Sequence, residues 1–282
     1  MDPRLTPAVI AAVIGAGALH ACWNAIAKQV TDRLMAFAWI GIAAMAVGGA
    51  VLAVTGLPAR RAIPYVIASA IIHIGYELGL MSSYRLGSFN QTYPIARGTS
   101  PLVVAVGAYF LANEHLGPAA LIGIGTLAVG LMSLALSAGR LSRADLPAVG
   151  AAVLTGLTIA GYTVTDGIGV RHAQDPWAYT ALLFVLMGPP LLAAAAIRRP
   201  PAAWRDGATM RRGAVAGLLS TAAYGIVLWA QTRAPLAEVA AIRETSVVFA
   251  ALIGVAALGE AFGRRRVVAA VVIATGIVLI GL

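Results

Sequence analysis

Residues 96–102 read "ARGTSPL" and residues 242–248 read "IRETSVV". Each places an arginine inside a stretch otherwise apolar enough for the middle of a bilayer, and in nearly the same words. The surroundings repeat too: "YPIARGTSPLVVAVGAYFLANEHLGPAALIGIGTLAVGLM" (93–132) is echoed by "AAIRETSVVFAALIGVAALGEAFGRRRVVAAVVIATGIVLI" (240–280). Without a gap, Arg97 falls on Arg243, Thr99 on Thr245, Ser100 on Ser246, Glu114 on Glu260, Gly117 on Gly263 and Gly130 on Gly276. A two-residue shift pairs Tyr76 with Tyr224, Leu80 with Leu228 and Arg85 with Arg233, and "GALHACW" (17–23) corresponds to "GLTIAGY" (156–162). The ordered set, rather than any one pair, reads as an internal duplication.

Composition fixes the class. Of 282 residues, 60% are hydrophobic and 11% charged, with a mean hydropathy of +0.87; soluble domains carry about twice that charge. An integral membrane protein is implied. The net charge of +9 lies in short arginine clusters between apolar runs, the pattern of topology signals rather than of a nucleic-acid surface. Cys22 stands alone, which excludes an internal disulfide. The first apolar run follows only Arg4 and ends without a small-residue cleavage pattern, so it reads as a span and not as a cleaved signal.

A bilayer core takes roughly 20 apolar residues per helix. Cutting at charge clusters and Gly/Pro turns gives ten spans: 6–27, 34–55, 63–84, 89–112, 117–137, 147–169, 176–197, 213–232, 235–259 and 264–282. Pro118, Pro147, Pro176 and Pro235 suit first helical turns. Lys28, Arg33, Arg85, Arg140, Arg143, Arg198, Arg199, Arg205, Arg211, Arg212 and Arg264 to Arg266 then share one side, against Arg4, Arg60, Arg61, Arg171 and Arg233 on the other. The richer side is expected in the cytoplasm and both termini outside. The copies divide as residues 1–138 and 144–282. Five spans is an odd number, so the second copy enters the membrane upside down, giving an all-α fold of two inverted five-helix repeats. Such duplication suits alternating access and favours a transporter over an enzyme or receptor.

The two echoing segments resemble the paired EamA modules of the drug/metabolite transporter superfamily. The likeness covers essentially the whole chain, and the alanine- and glycine-rich character is similar to the YddG-type bacterial amino-acid exporters. The resemblance implies a multi-pass protein of a bacterial inner membrane that exports a small metabolite, an amino acid first. "ARGTSP" and "RETS" are also similar to EamA proteins suspected of handling phosphonates, and related branches carry sugar phosphates.

An arginine at mid-bilayer costs at least ~2.5–3.5 kcal/mol, so Arg97 and Arg243 are expected to face protein or water. They either flank a cavity, ready for a carboxylate or phosphate, or are held by acids: Glu244 or Glu238 for Arg243, Glu77 for Arg97. Pro94 and Pro101 bracket Arg97, and Pro189 and Pro190 interrupt the seventh span, predicting kinks or mere packing irregularity. His73, Tyr76 and Glu77 share a helical face, as do His20, Trp23 and Asn24. Glu77 with His73 could take an ammonium or a coupling proton. Tyr76, Tyr93, Tyr162 and Tyr224 supply walls for an apolar side chain, or simply pack. The expected substrate set is therefore His20, Trp23, Asn24, His73, Tyr76, Glu77, Tyr93, Arg97, Tyr162, Tyr224, Arg243 and Glu244. Trp39, Trp177 and Trp204 read as interface anchors. Asp166 reads as an interfacial residue at the outer end of the sixth span, and Glu114 and Glu260 as wet helix ends. Ala119-x3-Gly123 and Ala270-x3-Ala274 permit close helix contact, between the halves or in a dimer. No HExxH, GxSxG or GxxxxGK[ST] pattern occurs and the histidines lack ligand spacing, which argues against an intramembrane enzyme, a metal, a cofactor or direct nucleotide drive. The partners expected are a small substrate and the bilayer, with the chain a monomer or homodimer.

Overall fold

The computed structural model describes residues 5–86, 89–137, 142–258 and 263–281, which form helices and short connections with no strand among them. Arg4, Arg140 and Glu260 lie outside the described residues. The helices are α1 (Pro7–Lys28), α2 (Arg33–Thr55), α3 (Ile63–Leu86), α4 (Phe89–Leu111), α5 (Pro118–Ser137), α6 (Leu146–Arg171), α7 (Pro176–Arg198), α8 (Gly207–Gln231), α9 (Leu236–Arg243), α10 (Thr245–Leu258) and α11 (Arg264–Ile280). Eight of them, α1 to α8, are long and apolar enough to cross a membrane, and α11 has a shorter apolar run over Val267–Ile280. Their outer faces carry Val54, Ile71, Phe110, Ile122, Val129 and Ile197, all more than half exposed, a surface suited to lipid rather than water.

Local chemistry sets the starts. Thr6 accepts a bond from Val9 N–H, Asp32 from Met35, Asp175 from Trp177 and Asp206 from Ala208, each occupying one of the donors a helix N-terminus leaves open. α8 starts at Gly207, six residues ahead of the 213 expected, because the Asp206 cap draws Arg211 and Arg212 into its first turns.

The main departure is in the ninth stretch, expected as one helix over 235–259. It is two helices. Glu244 N–H bonds Ala241 C=O at 3.0 Å, and Val247 N–H bonds Glu244 C=O at 3.0 Å. Bonding to the third residue back tightens the backbone into a 3₁₀-like turn and interrupts the α ladder. Neither proline nor glycine marks the place. The prolines of α4 and α7, by contrast, lie inside continuous helices.

The principal packing pairs are α5 with α11, α2 with α7, α3 and α4 with α6, α2 with α8, α4 with α5, and α1 with α8, α9 and α10. The α5–α11 seam is backbone against backbone. A β-carbon on Gly123 would stand 2.6 Å from Gly276 O, and one on Gly276 2.7 Å from Gly123 O. The small residues that make this seam are thus Gly123 and Gly276 and not the Ala270-x3-Ala274 stripe, of which Ala274 is exposed.

Contacts between helix ends fasten the bundle. Ala59 N–H bonds Ala173 C=O, and Arg61 bonds His172 C=O. Glu114, expected to be wet, is buried: both its oxygens accept Leu236 N–H, at 3.0 and 2.8 Å, and Arg171 lies 2.7 Å away. It caps α9 from across the bundle. Arg171 also donates to the carbonyls of Gln231 and Ala234. At the opposite helix ends Arg199 forks onto Asp32 at 2.6 and 3.1 Å.

Candidate functional site

Gly17 of α1 lies over the α9–α10 break, where an added β-carbon would come within 3.2 Å of Ser246 N and 3.5 Å of Arg243 O. Gly156 of α6 does the same to α4, within 2.8 Å of Ala96 O and of Thr99 Cβ. Only glycine lets two helices approach this closely. These crossings set Arg97 and Arg243 in the interior, each with 5% of its surface exposed, rather than toward lipid.

Arg97 is fully engaged. Its Nη1 donates to Glu244 Oε1 at 3.0 Å, its Nη2 to His20 Nε2 at 2.6 Å, and its Nε and Nη2 to the Tyr93 hydroxyl at 3.2 and 3.1 Å. The acid expected on its account, Glu77, is not the partner; the acid comes from the other copy, 147 residues away. Position 77 lies on α3, whereas the α9–α10 break delivers a carboxylate directly opposite α4. A guanidinium only donates, so His20 Nε2 must present its lone pair, and the imidazole proton sits on Nδ1. The Trp23 indole N–H, 3.3 Å from Nδ1, is then an edge contact, consistent with the T-shaped ring pair. Asn24 donates to the His20 carbonyl on its own helix at 2.8 Å.

Arg243 is the opposite case. Its nearest acid oxygen, Glu244 Oε1, is 3.7 Å away, and its Nε and Nη2 have no hydrogen-bond partner. Glu238, the other acid considered for it, does not pair with it among the described residues. Glu244 Oε2 and the hydroxyls of Ser100, Thr245 and Ser246 are likewise buried and unpartnered. Buried polar groups are normally satisfied, and one left open costs about 1–3 kcal/mol, more when charged. They concentrate at the α9–α10 break, with Ser100 supplied by α4.

Beside this cluster stands an aromatic one. His73 stacks on Tyr162 at 3.9 Å between ring centroids, and Tyr76 and Tyr224 meet Tyr162 edge-on at 5.6 and 6.3 Å. Phe184 adds a further edge against Tyr224. Ala96, next to Arg97 in the chain, packs with Ile159 and Tyr162, with Tyr76 and Tyr224 against them, so the two clusters adjoin. Asp166, read from sequence as interfacial, is fully buried here: the hydroxyls of Tyr179 and Tyr224 donate to it at 2.9 and 2.5 Å. The donors come from α7 and α8, which is why no local pattern announced them. Ser69 contacts His73, whose Nδ1–H donates to the Ser69 carbonyl at 2.9 Å.

The structure therefore brings His20, Trp23, Tyr93, Arg97, Arg243 and Glu244 into one polar cluster and His73, Tyr76, Tyr162 and Tyr224 into an adjoining aromatic one. Asn24 is spent on its own backbone, and Glu77 is half-buried on α3 apart from Arg97. Ser100, Thr245 and Ser246 carried a signal, their recurrence between the copies, that pointed to them without assigning a role. Tyr179 and Phe184 carried none. Among the described residues no cluster of three or more His, Cys, Asp or Glu could hold a metal.

Residues 146–282, which span α6 to α11, match the model of the EamA-like transporter family. No curated protein matches the chain. A solved structure titled only as the crystal structure of a protein superposes with a TM-score of 0.77 at 17% identity, over 96% of this chain and 94% of that one, a likeness of fold.

Proposed function

We propose that the chain is a ten-span secondary carrier of small metabolites, amino acids first, built as two inverted five-helix modules and working by alternating access. The match of the second half to a transporter family supports the class. The packing pattern supports the architecture. Exchanging α1 to α3 with α6 to α8, α4 with α9–α10 and α5 with α11 turns α3–α6 into α8–α1 and α4–α6 into α9/α10–α1. It leaves α2–α7 and α5–α11 unchanged. The Gly17 and Gly156 crossings exchange in the same way, since each touches the Arg-x-Thr-Ser segment of the other copy. Every tie between helix ends joins ends that ten crossings put on one side. On this reading Lys28, Arg33, Arg198, Arg199, Arg205, Arg211 and Arg212 face the cytoplasm of a bacterial cell, with the termini outside.

The observation that carries the substrate reading is the open set at the break: two guanidinium nitrogens of Arg243 and one oxygen of Glu244, buried and unpartnered. An α-amino acid offers the complementary pair, its carboxylate to Arg243 with the Ser100 and Ser246 hydroxyls, its ammonium to Glu244 Oε2. Tyr76, Tyr162 and Tyr224 would then receive an apolar side chain. A second reading, small organic anions such as phosphonates or sugar phosphates, is favoured by the charge sum of Arg97, Arg243 and Glu244, which leaves one positive charge over.

Proteoliposomes tested for counterflow with single radiolabelled amino acids and organic phosphates decide between them. Saturable counterflow of neutral amino acids, lost in Arg243→Ala and in Glu244→Gln, is expected. Counterflow of phosphates alone supports the second reading, and full activity of both folded variants overturns the site.

A further inference from the structure

We infer that His20 is the site of a coupling proton, which competes with the amino-acid ammonium and so drives exchange of the two across the membrane; this rests on the carrier reading above. The contact with Arg97 at 2.6 Å is the basis. Arginine does not lose its proton in a protein and can only donate, so the contact exists only while Nε2 carries a free lone pair. A proton arriving at Nε2 uses that lone pair, and the resulting imidazolium faces a guanidinium across the same gap. The Arg97–His20 contact and a second proton on His20, at Nε2, are therefore mutually exclusive.

What Arg97 does next follows from its surroundings. Nη1 already holds Glu244 Oε1, and Glu244 Oε2 has no partner. Because Nη1 already holds the other oxygen of the same carboxylate, an Nη2 released from His20 can close onto Oε2 and complete the planar two-point fork that guanidinium and carboxylate favour. The fork occupies the oxygen assigned to the substrate ammonium. One proton bound at His20 thus removes one ammonium site, and by linkage a bound ammonium disfavours the proton equally. Two ligands that exclude each other from one chamber travel in opposite directions, so proton entry would drive amino-acid exit.

The other charged and titratable groups near His20 are few. α4 presents Arg97 and Tyr93, and the break presents Arg243 and Glu244. α8 carries no ionisable side chain between Arg212 and Gln231 except Tyr224, and α10 carries none between Thr245 and Leu258. Trp23, the neighbour on α1 itself, does not titrate.

The test uses proteoliposomes of the full chain with a pH dye inside, membrane potential clamped, and each radiolabelled amino acid that shows counterflow added outside in turn. Uptake by the wild type should alkalinise the interior, one proton leaving per amino acid entering, and the half-saturation concentration should rise several-fold from pH 8 to pH 6. His20→Gln and His20→Asn, checked for folding by melting and gel filtration, should transport more slowly, with no proton movement and a half-saturation that no longer varies with pH. A silent dye in the wild type during transport, acidification instead of alkalinisation, or unchanged proton movement in a transporting His20 variant overturns the inference while leaving the carrier intact. Absence of counterflow for every amino acid overturns the amino-acid reading and this inference with it.

Discussion

Consider Glu114→Ala. The wild-type carboxylate holds Leu236 N–H with both oxygens and pairs with Arg171 at 2.7 Å, tying the α4–α5 link to α6 and to the first residue of α9. Truncation removes a charge-assisted bond worth ~1.5–3 kcal/mol. Stripping one partner from a fully buried ion pair costs about 3–5 kcal/mol, but that figure is too large here. The Arg171 side chain is 24% exposed and keeps the carbonyls of Gln231 and Ala234, so water and backbone absorb part of its charge. The two considerations together give ~2–3 kcal/mol. For chains of 150–250 residues one kcal/mol moves the melting temperature by roughly 2–4 °C, and a slightly longer chain sits at the low end, so a drop of about 4–6 °C is expected. Glu114→Gln keeps an acceptor for Leu236 and should lose about half as much. The assay is a thermal melt in detergent with and without lipid. A melt of Glu114→Ala within about 1 °C of wild type, or a Gln variant as damaged as the Ala variant, refutes the reasoning.

Three further outcomes follow. Gly123→Leu should lower the yield of folded protein sharply and, if recovered, its melting temperature, because even a β-carbon there sits 2.6 Å from Gly276 O and overpacking costs ~1–3 kcal/mol or more. Asp166→Asn keeps one acceptor for two tyrosines and gives the site a new donor facing hydroxyls that already donate; transport should fall at least several-fold while Asp166→Ala also loses stability, as flux and melting measured together would show. Arg199, hydrogen-bonded to Asp32, holds that carboxyl below the usual range, with the Met35 N–H assisting. A lowered folded value means the pair stabilises above the ordinary carboxylate pKa, ~3.9, and stops doing so as pH falls through the lower folded value. Both side chains are about one-third exposed, at 35% and 34%, so solvent screening keeps the effect small. Arg199→Ala should melt slightly lower than wild type at pH 7, and the gap should close as pH falls below the ordinary carboxylate range.

The sequence carried the helices because apolar length and terminal caps are local properties: the runs over α1 to α8 could be cut at charges and prolines alone. It also carried the interior placement of Arg97 and Arg243, since lipid offers a guanidinium nothing. What it lacked was every fact that depends on which helix faces which. Arg97 was matched with Glu77, on a neighbouring span, whereas the carboxylate that meets it comes from residue 244. Asp166 looked cheap to place at an interface because the tyrosines that bury it lie 13 and 58 residues further on. The interruption at Glu244 had no helix-breaking residue to announce it; Gly17, pressing from α1, is what lies against that point. Glu114 looked wet for the same reason, its partners being the far ends of α6 and α9.

The Arg97–Glu244 tie has a consequence for how the machine rests. Under the proposed inversion Arg97 corresponds to Arg243, and Glu244 to Gly98, which has no side chain to offer. Trading places between the modules therefore cannot recreate the tie in mirror image. On the proposed carrier reading the two poses would be unequal in depth, like a seesaw weighted at one seat, and the empty protein would spend most of its time in the pose where Arg97 is held.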